Sequence, residues 1–207
     1  MRYDNGISTR EEAYWFGFLM GDGNLSRYRN RIQVALIEED IGHLGKLRLF
    51  FDDGYIRPFG DGYIQYTIER KPLADNLRAL GFVPNKSHLL DESIIPEVHV
   101  MDFVRGLLDA DGTVYLRLPY ACIKFNGTFR LMRGIKNILT MYMPVGNIYQ
   151  DDTNFVLSVG GRHKTEQLSR LIWDHPTVFL HRKYQKVLKL YEYNDRNPAK
   201  RKVKSIR

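Results

Sequence analysis

Apolar and polar positions change period along this chain in a fixed order, and the order occurs twice. Ser8 and Thr9, with Glu11 and Glu12 three residues on, form overlapping capping boxes ahead of an apolar run from Ala13 to Met20 that stops at Gly21-Asp22-Gly23. Pro96-Glu97 stands at the start of a second such helix, whose run from Val100 to Leu108 stops at Asp109-Ala110-Asp111-Gly112. Period-two alternation follows each: Leu25 against Asn24, Ser26 and Tyr28, then Ile32, Val34 and Leu36; and Val114, Leu116 and Leu118 against Thr113, Tyr115 and Arg117, then Ile123 and Phe125. Each copy continues with a helix (40–51, 128–142), a Gly-led pair of short strands (54–57 with 63–68, 146–149 with 155–159) and a closing helix (72–80, 164–173).

The repeat is a half-domain, far longer than a solenoid unit. Asp22 to Asp111 and Gly45 to Gly134 are both 89 residues apart, Gly54 to Gly146 is 92 and Lys86 to Lys183 is 97, a drift that small loop insertions produce. The expected fold is therefore α+β, two pseudo-twofold-related αββαββα halves at 1–90 and 98–195, a linker at 91–97 and a basic tail at 196–207.

Composition narrows the setting. No apolar stretch in the 207 residues reaches the eighteen or so that a membrane helix needs, and the amino terminus opens polar, so a soluble cytoplasmic protein is expected, with no membrane partner. The single cysteine, Cys122, and histidines without metal-ligand spacing exclude an internal disulfide and a cysteine-rich zinc site. Net charge is +7, made of −3 over 1–97 and +10 over 98–207; the last twelve residues hold six cations and no acid. Such a distribution fits a polyanionic partner.

Chemistry concentrates at the two helix ends. Gly17 with Gly21, and Gly106 with Ala110, place small residues four apart on one face of each first helix, so the pair can pack with backbones nearly touching. Each helix then ends in Asp-Gly, the Gly supplying a left-handed stop. An Asp at a helix carboxyl end is unfavourable by a few tenths to about 1 kcal/mol, and packing would bring two of them together. Divalent cations resolve that conflict, and Mg²⁺ suits carboxylate and water ligands at a phosphodiester.

These segments, Trp15-Phe16-Gly17-Phe18-Leu19-Met20-Gly21-Asp22-Gly23 and Val104-Arg105-Gly106-Leu107-Leu108-Asp109-Ala110-Asp111-Gly112, resemble the signature of the LAGLIDADG homing endonucleases, the second closely and the first with Met20-Gly21 in place of Asp-Ala. The resemblance spans nearly the whole chain and fits the single-chain, two-motif branch. It implies a monomer that cuts both strands of a long, asymmetric DNA site across the minor groove, with metal held by Asp22 and the Gly21 carbonyl and by Asp111 and the Ala110 carbonyl. Mg²⁺ is the implied cofactor, with Ca²⁺ able to replace it without cleavage. Lys86 and Lys183 match the family's basic residue after each third helix, where an ammonium stabilises developing negative charge. Glu38 and Asn126 are the candidates for ordering water.

Strand parity supplies the DNA face. With Leu25, Val114 and Leu116 turned to the core, the opposite face carries Asn24, Ser26, Tyr28, Asn30 and Gln33 in the first half and Thr113, Tyr115, Arg117, Lys124 and Asn126 in the second; Arg57, Gln65, Thr67, Asn147, Tyr149 and Ser158 extend it. Two twisted sheets with such faces form a saddle for a major groove. Other nuclease and nucleotide signals are incomplete: Gly54-Tyr55-Ile56 lacks its Tyr-Ile-Gly partner, and no phosphate-binding glycine loop forms. An intron RNA maturase, or a non-cleaving nucleic-acid-binding protein of the same fold, is the alternative. No splicing segment flanks the repeat, which points to a freestanding or intron-encoded enzyme rather than an intein-borne one.

Overall fold

The computed structural model describes residues 2–198, so of the basic tail only 196–198 fall within the described residues. The first half runs α1 (Arg10–Asp22), β1 (Gly23–Leu25), β2 (Arg31–Ile37), α2 (Ile41–Phe51), β3 (Tyr55–Pro58), β4 (Tyr63–Glu69) and α3 (Lys71–Ala79). The second runs α4 (Val100–Asp111), β5 (Thr113–Arg117), β6 (Tyr120–Gly127), α5 (Phe129–Thr140), β7 (Ile148–Asp151), β8 (Asn154–Gly160), α6 (Arg162–Ile172) and α7 (His181–Arg196). Each half holds one antiparallel four-stranded sheet, ordered β1-β2-β4-β3 and β5-β6-β8-β7, so the topology repeats with the sequence. None of the described helices is long and apolar enough to cross a membrane.

Helix α1 starts where its capping box predicts: Thr9 accepts from the Glu12 amide, and the Glu12 carboxylate takes the Ser8 and Thr9 amides. Helix α4 starts at Val100, later than Pro96 suggested, behind a left-handed His99. The stretch read as a linker carries a short 3-10 turn at Glu92–Ile94, and Arg133 of α5 pairs with Glu92 at 2.6 Å. Helix α7 lies beyond the predicted plan. It buries Lys183, Val187, Leu190 and Asn194 and keeps Lys186 and Lys189 outward, so its weak apolar stripe is the signal that pattern-reading passed over.

The two halves join through α1 and α4, whose backbones are in contact. A Cβ on Gly17 would overlap the Phe103 carbonyl oxygen, and one on Gly106 would overlap the Tyr14 carbonyl oxygen. Around this seam, polar groups are buried in pairs. The fully buried Arg105 donates to Asp102 and to the carbonyls of Ile172 and Val178, and Arg10 meets Asp102 from the other half at 3.0 Å. The Tyr14 hydroxyl gives its one proton to Asp109 at 2.9 Å, leaving the neutral His43 ring to donate to it from Nε2 at 3.0 Å.

His43 carries a pH signature. Burial among Trp15, Phe18 and Tyr14 holds its pKa down at about 3, against 6.5 when exposed. Between those values the unfolded chain binds a proton that the folded chain refuses, so stability falls as pH drops through that window, by about 1.4 kcal/mol per pH unit. We expect His43→Phe to flatten that part of the pH–stability curve; urea unfolding of both proteins between pH 4 and 7.5 measures it, and an equal slope in the variant would contradict the assignment.

Candidate functional site

Asp22 and Asp111 close the abutting ends of α1 and α4. Gly21 makes the approach possible: a Cβ there would press on the Ala110 methyl and lie 3.0 Å from Asp111 Oδ2. The following glycines, Gly23 and Gly112, are extended (φ −75° and −84°), not left-handed as the Asp-Gly pattern suggested. They are glycine because the chain folds back on its own last turn; a Cβ on Gly23 would lie 2.5 Å from the Leu19 oxygen, and one on Gly112 2.7 Å from the Leu108 oxygen.

The surrounding protein acts on both carboxyls. Burial, and next the Asp111 charge, lift Asp22 to about 7; burial lifts Asp111 as well, against the pull of Lys86 and then Lys183, although part of its surface stays open to solvent. Two raised acids at one point are a site held ready for positive charge. The Asp109 carboxyl, two residues away, is turned into the core, where it accepts from Tyr14 and the Leu180 amide, and is no part of this pair. A cavity of about 340 Å³ opens beside Asp111, with Asn126 and Ser87 in its wall.

Lys86 and Lys183 meet the site from matching sides, each on the first turn of a helical segment. Both are buried, which pulls their pKa values down to about 8. Their ammonium groups satisfy helix-end carbonyls: Lys86 donates to Gly23 O at 2.5 Å and Gly21 O at 3.2 Å, while Lys183 donates to Leu108, Asp109 and Gly112, all at 2.7 Å, and to Ala110 at 3.3 Å. The longest of these bonds go to Gly21 and Ala110, the residues that directly precede the two acids. Each lysine is thus a helix cap as well as a nearby positive charge. Replacing Lys183 by Met should therefore destabilise the fold more than Lys86→Met, with each stranded carbonyl counting for about 1 kcal/mol or more; thermal melts in the absence of metal and DNA would show it, and equal losses would contradict the capping role.

The donors at this point are all oxygen: two carboxylates and two carbonyls. Among the described residues no cluster of three or more acids, histidines or cysteines could hold a metal. The set fits a hard divalent cation bound by one or two carboxylates, with water and substrate phosphate completing its shell, and it does not fit zinc.

Register separates the two water-ordering candidates. Strand β5 pairs Thr113 with Lys124, which carries Asn126 back to Asp111, and Asn126 Nδ2 donates to Asp111 O at 2.8 Å. In the first half Gly23 pairs with Val34, so the residue in that place is Ala35; Glu38 stands three positions further on, exposed in a 3-10 turn. Glu38 is therefore not the counterpart of Asn126, and the two centres differ by one polar side chain.

The saddle face follows parity, but three candidates drop out as contacts: Asn30, Asn147 and Thr67, the last lying in the face yet only 1% exposed. Asn24, Gln33, Thr67 and Tyr55 form one row across the first sheet and Ala35, Gln65 and Arg57 the row beside Asp22; Ser26 continues the same side, and Tyr28 is exposed at the β1–β2 tip. Asn30 does not belong with them. It shares the parity of Ile32 and turns to the helices, where its oxygen accepts from Arg78 of α3 at 2.9 Å. In the second sheet Thr113, Lys124 and Ser158 form a row, Tyr115 stands opposite Cys122, Asn126 and Tyr149 flank Val156, and Arg117 lies at the outer end. Asn147, just before β7, leans to α5 and accepts from Lys136 at 3.3 Å. Tyr55 and Cys122 share the polar face and were missed; strand parity alone places both. Cys122 Sγ lies 3.1 Å from Ser158 Oγ.

No protein-family model and no curated protein sequence matches this chain. Solved structures do. The LAGLIDADG meganuclease I-AabMI bound to uncleaved DNA aligns at TM-score 0.61 and 14% identity over 88% of this chain and 90% of its own. I-SmaMI bound to an uncleaved DNA target in the presence of calcium ions aligns at 0.61 and 13% over 92% and 93%, and the LAGLIDADG meganuclease I-CpaMI bound to uncleaved DNA at 0.63 and 11% over 91% and 92%. At such identities the likeness establishes the fold: this chain has the single-chain, two-domain architecture of the LAGLIDADG homing endonucleases.

Proposed function

We propose that this protein is a site-specific, double-strand DNA endonuclease, acting as a monomer with Mg²⁺ held between Asp22 and Asp111. The observation that carries the reading is the pairing itself. Two acids with raised pKa values meet at two helix carboxyl ends, where stability alone would place cations. They stand between two polar sheet faces on a fold shared with DNA-bound endonucleases.

A divalent cation bound there would supply Lewis acidity, activating water and offsetting charge on the scissile phosphate. The chain's own residues do the rest. Asp22 and Asp111 fix where the cation and the phosphate meet, with the Gly21 and Ala110 carbonyls as further oxygen donors. Lys86 and Lys183 hold those carbonyls in place and set positive charge against the phosphate as it gains negative charge. Asn126 holds a hydrogen-bonding amide beside Asp111, able to orient water on that side only. The sheet faces hold the duplex in register, with Tyr55 and Cys122 added to the predicted contacts and Asn30, Asn147 and the buried Thr67 removed.

The test is selection from a randomised duplex library in Mg²⁺, in Ca²⁺ and in EDTA, with the new ends sequenced. Discrete double-strand breaks in Mg²⁺ alone, with binding retained in Ca²⁺, are expected. Tight binding to structured intron RNA with no DNA cut under any metal would overturn the reading in favour of a maturase.

A further inference from the structure

On the first sheet three polar side chains form one connected unit. Gln65 of β4 is buried, and its Oε1 accepts twice: from Gln33 Nε2 of β2 at 3.1 Å and from Arg57 Nη2 of β3 at 3.3 Å. The amide orientation follows from chemistry, because a guanidinium only donates, so the Gln65 atom facing Arg57 must be oxygen. Arg57 has a second restraint, its guanidinium carbon lying 5.9 Å from the Tyr55 ring centroid. An arginine on an edge strand is free to swing outward to backbone phosphates. Here it is drawn inward over the sheet, and its remaining donors stay exposed in the row beside Asp22.

We infer that Arg57 reads a guanine in the half-site bound by the first sheet, and that Gln65 is the residue that positions it. A guanidinium held in a fixed plane matches the O6 and N7 acceptors of guanine in the major groove, and each such pair discriminates against other bases by roughly ten-fold or more. Order is set before binding, so little side-chain freedom is lost on contact. The matching row of the second sheet is Asn126, Val156 and Tyr149, without a cation, so the other half-site has no counterpart of Arg57 at the equivalent position. The inference rests on the endonuclease reading and deepens it by naming part of the substrate.

The experiment is cleavage selection from the randomised duplex library by the full chain and three variants. Wild type should show a position in one half-site where guanine is preferred by about ten-fold or more. Arg57→Ala should erase that preference and leave the others. Gln65→Leu should weaken it several-fold, while Gln65→Glu, which keeps an oxygen facing Arg57, should retain it. Melting temperatures near wild type would exclude misfolding as the cause. If Arg57→Ala instead lowers affinity for all sequences alike and flattens the salt dependence, Arg57 is a phosphate contact and the inference falls. An unchanged profile in Gln65→Leu removes its positioning role. A wild-type protein that makes no discrete cuts fails earlier and takes the endonuclease reading with it.

Discussion

Asp22→Asn and Asp111→Asn should each lower double-strand cleavage by on the order of 10³-fold or more while leaving DNA affinity within a few-fold. On the proposed function the two effects separate, because the carboxylates would meet the scissile phosphate whereas affinity would come from the two sheet faces. Folding should not suffer. A carboxyl whose pKa is raised in the folded state costs stability as pH rises through about 3.8 to 7, so Asp22→Asn removes that cost at pH 8 and the variant should melt no lower than wild type in the absence of metal. Single-turnover cleavage in Mg²⁺, gel shifts in Ca²⁺ and a thermal melt form the necessary set. Full cleavage by either variant would contradict the account.

Gly106→Ala should destabilise the protein by roughly 3 kcal/mol or more, at the upper end for a single methyl, with Gly17→Ala close behind. The new carbon would overlap the Tyr14 carbonyl oxygen in the first case and the Phe103 carbonyl oxygen in the second. Both are helix backbone, which cannot rotate aside as a side chain can, so α1 and α4 must part. Parting them also separates Asp22 from Asp111, and residual cleavage should fall more than the folded fraction does. Gly45→Ala is the control. It lies within α2 with open space around its Cβ direction, and alanine there should stabilise by about 0.5–1 kcal/mol. Urea unfolding of the three variants decides this, and a Gly106→Ala protein as stable as wild type would mean that the helices do not touch as described.

Local signals explain why so much of the fold could be read from sequence. The period-two runs at Ile32–Leu36 and at Ile123–Phe125 fall on strands in register, and Asp-Gly ends two helices packed at their small residues. The misreadings were also physical. Parity from Ile32 sends Asn30 to the helix side, an inference that counting from Leu25 across the hairpin turn obscured. Gly23 and Gly112 serve close packing rather than a left-handed turn, a distinction that residue identity does not make. Helix α7 was passed over because its charged residues outnumber its apolar ones, and its stripe gains meaning only against β5 and α6. The Arg10–Asp102–Arg105 cluster and the Tyr14–Asp109 bond join groups up to 95 positions apart, and no local pattern marks which charges are buried. Both lysines were legible as cations near the acids, but their bonds join them to helix-end carbonyls more than sixty positions away, which no local pattern marks.

The central claim is that Asp22 and Asp111 together hold the divalent cation that DNA cleavage requires. Its most direct measurement is anomalous diffraction from crystals of the protein with its selected duplex and Mn²⁺. The account predicts anomalous density touching both carboxylates beside the scissile phosphates, and its loss in Asp22→Asn crystals. Density at any other residues, or cleavage by a complex whose carboxylate pair is bare of metal, would contradict it.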